Sequence, residues 1–209
     1  METQELEQVF TKIIPSGWWG SKESVSGRGS ELATTAVIRE NLSAWLNRHP
    51  DVRVFFDAPC GDFNWMQLLS FPSDFKYIGG DIVADLVSQN NKSYGAANRS
   101  FVHFDATSAK YPKADAWFCR DMMIHLPITL CLAAVAGARA AGVKYILAST
   151  FVNATNEEDI APGNYRKVNL AKPPFDLGSP IEMLWDPAEN MQTDRFIGVW
   201  RTAEEPLPI

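Results

Sequence analysis

Three acids that each follow a short apolar run are the residues of this sequence whose type and spacing suggest chemistry. Asp57, Asp81 and Asp105 each end such a run. Because the carboxyl ends of parallel strands meet at one edge of a sheet, we expect the three carboxylates to lie along that edge. Asp81 follows Asp57 by 24 residues, close to the spacing of roughly 20 at which an acid binds ribose hydroxyls. Each acid alone is also compatible with a helix cap or a turn.

The segment after Asp57 reads Ala58-Pro59-Cys60-Gly61-Asp62 and predicts a tight turn. Gly61 has no Cβ, so the backbone can approach a ligand there. The segment lacks the three glycines with which a dinucleotide site seats a pyrophosphate, and Asp62 would repel one. A ligand that carries an amine and a sulfonium suits this turn better. The sequence therefore favours an adenosine ligand without phosphates and disfavours an NAD-linked oxidoreductase.

Strand and helix patterns alternate through the middle of the chain, which predicts parallel βαβ units. Strands are predicted at 54–57, 75–80, 101–104, 114–119 and 143–151, and helices at 3–14, 31–48, 64–70, 84–91 and 127–141. Residues 153–180 have no clear periodicity, and a loop of that length in a compact domain is usually functional or disordered. The runs at 181–185 and 195–202 predict an antiparallel strand pair at the sheet edge.

Length and composition limit the classes of protein. The chain has 209 residues, which favours one domain, and a net charge of −6, which argues against a nucleic-acid surface. Its three cysteines form no CxxC pair, so neither a metal nor a disulfide framework is expected. The cysteines and an acidic amino terminus favour a cytoplasmic protein. The most apolar segment, 130–143, is too short to span a membrane.

Five segments together resemble the motifs of class I S-adenosylmethionine-dependent methyltransferases. They are residues 57–62 (Asp-Ala-Pro-Cys-Gly-Asp), 77–83 (Tyr-Ile-Gly-Gly-Asp-Ile-Val), 104–107 (Phe-Asp-Ala-Thr), 114–127 and 145–150 (Tyr-Ile-Leu-Ala-Ser-Thr). The resemblance covers about residues 50–202, and Pro59 stands where the commoner first motif has a glycine. It implies an α/β, Rossmann-like, seven-stranded mixed sheet with strand 7 antiparallel, helices on both faces and an amino-terminal helical cap.

The resemblance also implies S-adenosylmethionine as the cofactor. Together with the pattern of elements, it leads us to expect one domain in four parts. These parts are a cap at 1–50, a cofactor-binding core at 51–151, an acceptor-side loop at 152–180 and a strand pair at 181–209. Asp57 and Gly61 would serve the amino-acid part of the cofactor, Asp81 the ribose and Asp105 the adenine. The implied cofactor-binding residues are Asp57, Ala58, Pro59, Gly61, Asp81, Ile82, Asp105, Ala106 and Arg120.

His125 is the candidate catalytic base. It lies four residues after Asp121, so the two side chains would meet if the segment is helical. An imidazole with a carboxylate partner suits removal of a hydroxyl proton. The alternative is that His125 caps or packs under the following helix.

Four further residues are candidates for ligand contacts. Arg28 lies in a Gly/Ser loop at 24–30 that could close over the cofactor and meet its carboxylate. Arg166 and Asn169 lie in the loop after the fifth strand, which leaves the same sheet edge and suits an anionic or polyol acceptor. Trp19 is predicted to line the acceptor pocket or, equally, to belong to the core. For both loops the alternative is an ordinary solvated segment.

The sequence thus predicts transfer of a methyl group to an oxygen of a small molecule or sugar, with no membrane or nucleic-acid partner. O-methylation is favoured because His125 offers a base and no Asn/Asp-Pro-Pro-Tyr segment for amino-group methylation follows the fourth strand. The alternatives are an N-methyltransferase and a catalytically inactive subunit that binds the cofactor or a nucleotide. The sequence does not specify the oligomeric state.

Overall fold

A computed structural model describes residues 3–72, 74–188 and 191–202. Its strands form one sheet in the order β3-β2-β1-β4-β5-β7-β6. The strands are β1 (Val54–Asp57), β2 (Lys76–Asp81), β3 (Arg99–His103), β4 (Ala116–Cys119), β5 (Tyr145–Phe151), β6 (Glu182–Trp185) and β7 (Arg195–Arg201). The helices are α1 (Thr3–Ser16), α2 (Ala36–Arg48), α3 (Ala84–Tyr94) and α4 (Ile128–Ala140).

The sheet is mixed, as predicted. Strands β1 to β5 pair in parallel, whereas β7 runs antiparallel to both β5 and β6. Arg195, the first residue of β7, is opposite Phe151, the last residue of β5. The start of β7 therefore lies at the same edge of the sheet as the carboxyl ends of the parallel strands.

Helices cover both faces of the sheet, also as predicted. On one face Phe56, Trp117 and Ile146 share a buried cluster with residues of α4 and with Leu6 of α1. On the other face Phe55, Phe118 and Leu147 pack with residues of α2 and α3. Burial on both sides explains why the central strands are continuously apolar rather than alternating.

The prediction of a helix at 64–70 is wrong. The segment contains only a 3₁₀ turn, Met66–Leu68. Gly61 and Phe63 both have positive φ, of 54° and 59°, which turns the chain away from a helical path. Trp65, Met66 and Leu69 are buried, so core packing holds this segment in place without a regular helix.

The second helix of the amino-terminal region is shorter than predicted. The second helix begins at Ala36 rather than at 31 and packs on the sheet, with Ile38, Leu42 and Trp45 fully buried. Only α1 and residues 17–30 lie over the carboxyl edge. Residues 1–2 of the predicted cap and 203–209 of the predicted strand-pair segment lie outside the described residues.

The loop at 153–180 contains no helix or strand, as its lack of periodicity predicts. It is nevertheless packed on the body of the protein, since Val168 and Leu170 are fully buried. Backbone bonds from Phe151 N to Val168 O (2.7 Å) and from Arg166 N to Ile124 O (2.9 Å) fix its course. Within the described ranges, every helix is too short or too polar to cross a bilayer.

Candidate active site

A cavity of about 370 Å³ opens at the carboxyl edge of the sheet. Every cofactor-binding residue implied by the sequence resemblance lines it, and so do Arg28, Asp121, His125 and Trp19. The fold brings these residues together because they end β1, β2, β3 and β4 or lie in the segments that cross that edge.

The turn after β1 is held by backbone bonds to its neighbours. Ala58 N donates to Phe118 O (3.0 Å), and Cys60 N donates to Gly80 O (2.9 Å). Trp117 Nε1 donates to Ala58 O (3.0 Å). The turn is thus attached to β2 and β4 on either side, which fixes the floor of the cavity.

Asp62 does not face the cavity as a free acid. Its carboxylate accepts hydrogen bonds from Ser24 Oγ (2.8 Å), Val25 N (2.9 Å) and Ser26 Oγ (3.2 Å). A Cβ on Gly61 would overlap the Ser26 hydroxyl. The single glycine and the following acid therefore dock the amino-terminal loop onto the first motif, a role that the sequence did not reveal.

Asp57 is buried under the turn, and its Oδ2 accepts a hydrogen bond of 2.5 Å from the Tyr77 hydroxyl. Burial, reinforced by the nearby charge of Asp81, raises the pKa of Asp57 to about 8. A buried carboxyl with this pKa is stabilised in its ionised form by a bound cation.

Asp81 ends β2 and lines the cavity. Its Oδ2 accepts from Gly61 N (2.9 Å) and its Oδ1 from Val83 N (3.0 Å). A carboxylate oxygen offers about two acceptor sites, so each oxygen retains one for a hydroxyl. Burial raises the pKa of Asp81. The residue fits a diol ligand.

Asp105 is already saturated with hydrogen bonds. Oδ1 accepts from Thr107 N (2.8 Å) and Oγ1 (2.7 Å), while Oδ2 accepts from Thr3 Oγ1 (2.7 Å) and Ser108 Oγ (2.8 Å). Although burial opposes its ionisation, the bonds from Thr3, Thr107 and Ser108 lower the pKa of Asp105. An adenine amine would reach Asp105 only by displacing one of these donors.

Helix α1 forms a roof over the cavity. Leu6, Phe10 and Ile14 line the cavity from above. At its start α1 is tied to Asp105 through Thr3. At its other end α1 packs so closely on Gly163 that a Cβ there would meet Ile13 and Val9 side chains. Leu6 and Phe10 of this helix thus line the cavity and also pack in or against the core.

Four charges form one network beside the cavity; Arg120, Asp186 and Arg195 are buried and Asp121 is half-buried. Arg195 Nη2 donates to Asp121 Oδ2 (2.9 Å) and Asp186 Oδ2 (2.8 Å). Arg120 donates from Nε to Asp186 Oδ2 (2.9 Å) and from Nη1 to Gly29 O (2.9 Å). Although burial opposes it, the charges of Arg195 and Arg120 lower the pKa of Asp121 to about 2.

His125 is not bonded to Asp121. The segment forms only the 3₁₀ turn Met123–His125, and His125 Nδ1 is 2.8 Å from Asn164 O. A carbonyl oxygen only accepts, so Nδ1 carries the hydrogen and Nε2 keeps the lone pair. Burial and the charge of Arg195 lower the pKa of His125, against the effects of Asn164 and Asp121.

Arg166 and Asn169 do not line the cavity. Arg166 is buried and donates from Nη1 to Leu126 O (2.6 Å). Asn169 is also buried and donates to Val152 O (2.9 Å). These two hydrogen bonds hold the 153–180 loop against the rest of the protein. The two polar side chains therefore point into the protein and not into the cavity.

The sequence analysis did not single out several residues that the fold brings to this edge. Arg195 and Tyr165 line the cavity, and Asp186 is fully buried behind it. Arg195 could have been found from the topology alone, because an antiparallel seventh strand must begin at the carboxyl edge. Asp186 and Tyr165 lie in irregular segments, where no periodicity marks their direction.

The chain has the fold of class I S-adenosylmethionine-dependent methyltransferases. It resembles 1,6-didemethyltoxoflavin-N1-methyltransferase of Burkholderia thailandensis, solved with its substrate and S-adenosylhomocysteine, at a TM-score of 0.62 and 13% identity over 98% of this chain and 92% of the other. It also resembles magnesium protoporphyrin IX methyltransferase of Synechocystis PCC 6803, solved with S-adenosylhomocysteine, at a TM-score of 0.58 and 14% identity over 82% and 84% of the two chains.

Human N-acetylserotonin methyltransferase, solved with S-adenosylmethionine, aligns at a TM-score of 0.57 and 9% identity over 80% of this chain and 52% of its own. No protein-family model matches the sequence. No curated protein matches it either. At these identities the likeness establishes the fold, and function must be argued from the site.

Proposed function

We propose that this protein is an S-adenosylmethionine-dependent methyltransferase that acts on a hydroxyl of a small molecule, with His125 as the base. The observation that carries the proposal is the row of Asp57, Asp81 and Asp105 along one cavity at the carboxyl edge of the sheet. Such a row suits an adenosine ligand whose other end is cationic, and it does not suit a pyrophosphate.

The residues present fit this cofactor at three points. Asp81 retains acceptor capacity for ribose hydroxyls. A cation beside Asp57 would lower the raised pKa of that carboxyl and favour its ionised form. Ile82 and Ala106, which directly follow Asp81 and Asp105, supply apolar lining. Asp105 fits less well, because Thr3 and its neighbours occupy its oxygens.

S-adenosylmethionine would supply a methyl group on a sulfonium, and the transfer is an in-line displacement that mostly requires alignment. As the acceptor oxygen forms its bond to the methyl carbon, the carbon–sulfur bond breaks and the hydroxyl proton must leave. His125 Nε2 is the atom proposed to take that proton. Its lowered pKa keeps the imidazole neutral near pH 7, which is the state in which it accepts a proton.

The test is calorimetric binding of S-adenosylhomocysteine to the wild type, to Asp81→Ala and to Asp85→Ala as the matched control. Asp85 is an exposed acid in the first turn of α3 and does not line the cavity. Loss of hydrogen bonds to a charged acceptor should weaken binding to Asp81→Ala by roughly a hundredfold, with Asp85→Ala unchanged.

A wild type that binds NAD but not S-adenosylhomocysteine would overturn the proposal, as would equal affinity in both variants. Conversion of S-adenosylmethionine to S-adenosylhomocysteine in the presence of an acceptor would then separate an enzyme from a subunit that only binds the cofactor.

A further inference from the structure

Aromatic rings surround His125 at the end of the cavity below β4 and β7. The Trp19 ring lies 5.6 Å from the imidazole centroid, and the Tyr165 ring lies 6.0 Å from it. Phe10 of α1 lies 6.4 Å from Trp19. All four residues line the cavity. Flat apolar faces on several sides favour a planar, aromatic molecule next to His125.

Arg195 is a hydrogen-bond donor at this end of the cavity whose nitrogens are not all paired among the described residues; Trp19 Nε1 is likewise buried without a partner there. The side chain lines the cavity although only 5% of the residue is exposed. Its Nη2 holds both Asp121 and Asp186. Its Nε is buried without a partner within the described ranges, and no hydrogen bond joins Nη1 to a described residue. Nη1 is therefore the nitrogen that can reach a molecule in the cavity.

The net charge of the network formed by Arg120, Arg195, Asp121 and Asp186 indicates which chemical group Arg195 Nη1 can bind. Arg120 and Arg195 supply two positive charges, and Asp121 and Asp186 supply two negative charges. Because the charges already balance, Nη1 does not require a full negative charge. It suits an oxygen acceptor, since a charged donor that has no partner among the described residues gains a hydrogen bond when an oxygen lies beside it.

We propose that the methyl acceptor is a planar aromatic hydroxy compound with a second oxygen-bearing group, a ring carbonyl or carboxylate, that Arg195 binds. This assignment rests on the proposed methyltransferase function and deepens it. The aromatic rings pack against the faces of the acceptor, and His125 takes its hydroxyl proton. The hydrogen bond from Arg195 fixes the orientation of the acceptor in the cavity. Arg195 thus has the acceptor-binding role that the sequence analysis gave to Arg166.

The test is binding of matched aromatic probes in the presence of saturating S-adenosylhomocysteine. The ortho, meta and para isomers of hydroxyacetophenone carry a carbonyl oxygen, and the corresponding ethylphenols have nearly the same shape without it. Hydroxybenzoates distinguish a carboxylate from a neutral carbonyl. At least one hydroxyacetophenone should bind the wild type roughly tenfold more tightly than its ethylphenol, the effect of one hydrogen bond to a charged donor.

In Arg195→Gln this preference should disappear, whereas in Arg201→Gln it should remain. Arg201 ends the same strand at the opposite edge, where it lies over the Tyr145 ring at 5.5 Å. Arg195→Lys is measured in parallel because it keeps the charge if Arg195→Gln fails to fold. It should retain at most part of the preference, since an ammonium does not reproduce the guanidinium geometry.

Three outcomes would overturn the assignment: equal binding of every matched pair by the wild type, a preference unchanged in both Arg195 variants, or no binding of any aromatic probe. In each of these, binding of S-adenosylhomocysteine shows that the protein is folded and that the proposed cofactor is correct. Failure to bind S-adenosylhomocysteine would instead contradict the proposed function itself.

Discussion

His125 is the residue on which the proposed proton transfer depends, so its protonation state is the first property to measure. Burial and Arg195 lower its pKa below the usual value of 6.5. The imidazole should therefore be neutral above that pKa, and methyl transfer should fall as the pH drops through it. Proton NMR titration of the three histidines, with His125→Gln to assign the resonance, should give a midpoint below 6.5 for His125.

The same titration reports which nitrogen is protonated. With Asn164 O held by the Nδ1 hydrogen, the neutral ring should be the Nδ1–H form, and nitrogen-15 shifts distinguish the two tautomers. A midpoint above 6.5, or a neutral Nε2–H form, would contradict the role of Nε2 as the base.

At the scale of elements, the roof formed by α1 should control how fast a ligand leaves the cavity. Gly163 contacts this helix so closely that an added methyl group would push on Ile13 and Val9. We expect Gly163→Ala to loosen α1 and to speed dissociation of S-adenosylhomocysteine by roughly fivefold, the effect of about 1 kcal/mol of overpacking. Stopped-flow fluorescence of the tryptophans would follow the release.

Gly178→Ala is the matched control for that prediction. Gly178 lies in the same loop and also has a positive φ, of 73° against 85° at Gly163, but a Cβ there meets nothing within 4 Å. The two variants therefore share the backbone strain and differ in the contact with α1. Equal dissociation rates would show that α1 does not restrict the ligand.

At the scale of the whole molecule, Asp186 joins the closing strands to the centre of the sheet. It is fully buried at the end of β6 and accepts from Arg120 after β4 and Arg195 in β7. We expect Asp186→Asn to lower the free energy of unfolding by about 3 kcal/mol, because two buried guanidinium groups lose a charged partner. Urea unfolding of the ligand-free protein measures this change.

The control for Asp186→Asn is Asp74→Asn. Asp74 forms an ion pair with Arg53 in which the two side chains are 60% and 55% exposed, and exposed pairs contribute less than about 1 kcal/mol. If the two variants unfold at the same urea concentration, the network has no special part in holding β6 and β7.

Most of the fold could be predicted because it depends on local patterns. Apolar runs and helical periods gave the βαβ order, and the acids after β1, β2 and β3 were placed at one edge because parallel strands share a direction. The prediction of a helix at 64–70 was wrong, although the segment is apolar enough for one: the chain enters it from a turn with positive φ at Gly61 and Phe63, and only a 3₁₀ turn follows. The partner of His125 was missed because a 3₁₀ turn does not bring residues i and i+4 together.

The sequence by itself determined the sheet, the row of carboxylates and the turn around Gly61, because each depends on residues near one another along the chain. Only the tertiary structure decided that Arg195 lines the cavity and Arg166 does not. Antiparallel pairing carries Arg195 to the carboxyl edge, whereas packing of the long loop turns Arg166 inward onto Leu126 O. Contacts between residues far apart in sequence fix both directions, and no local pattern encodes them.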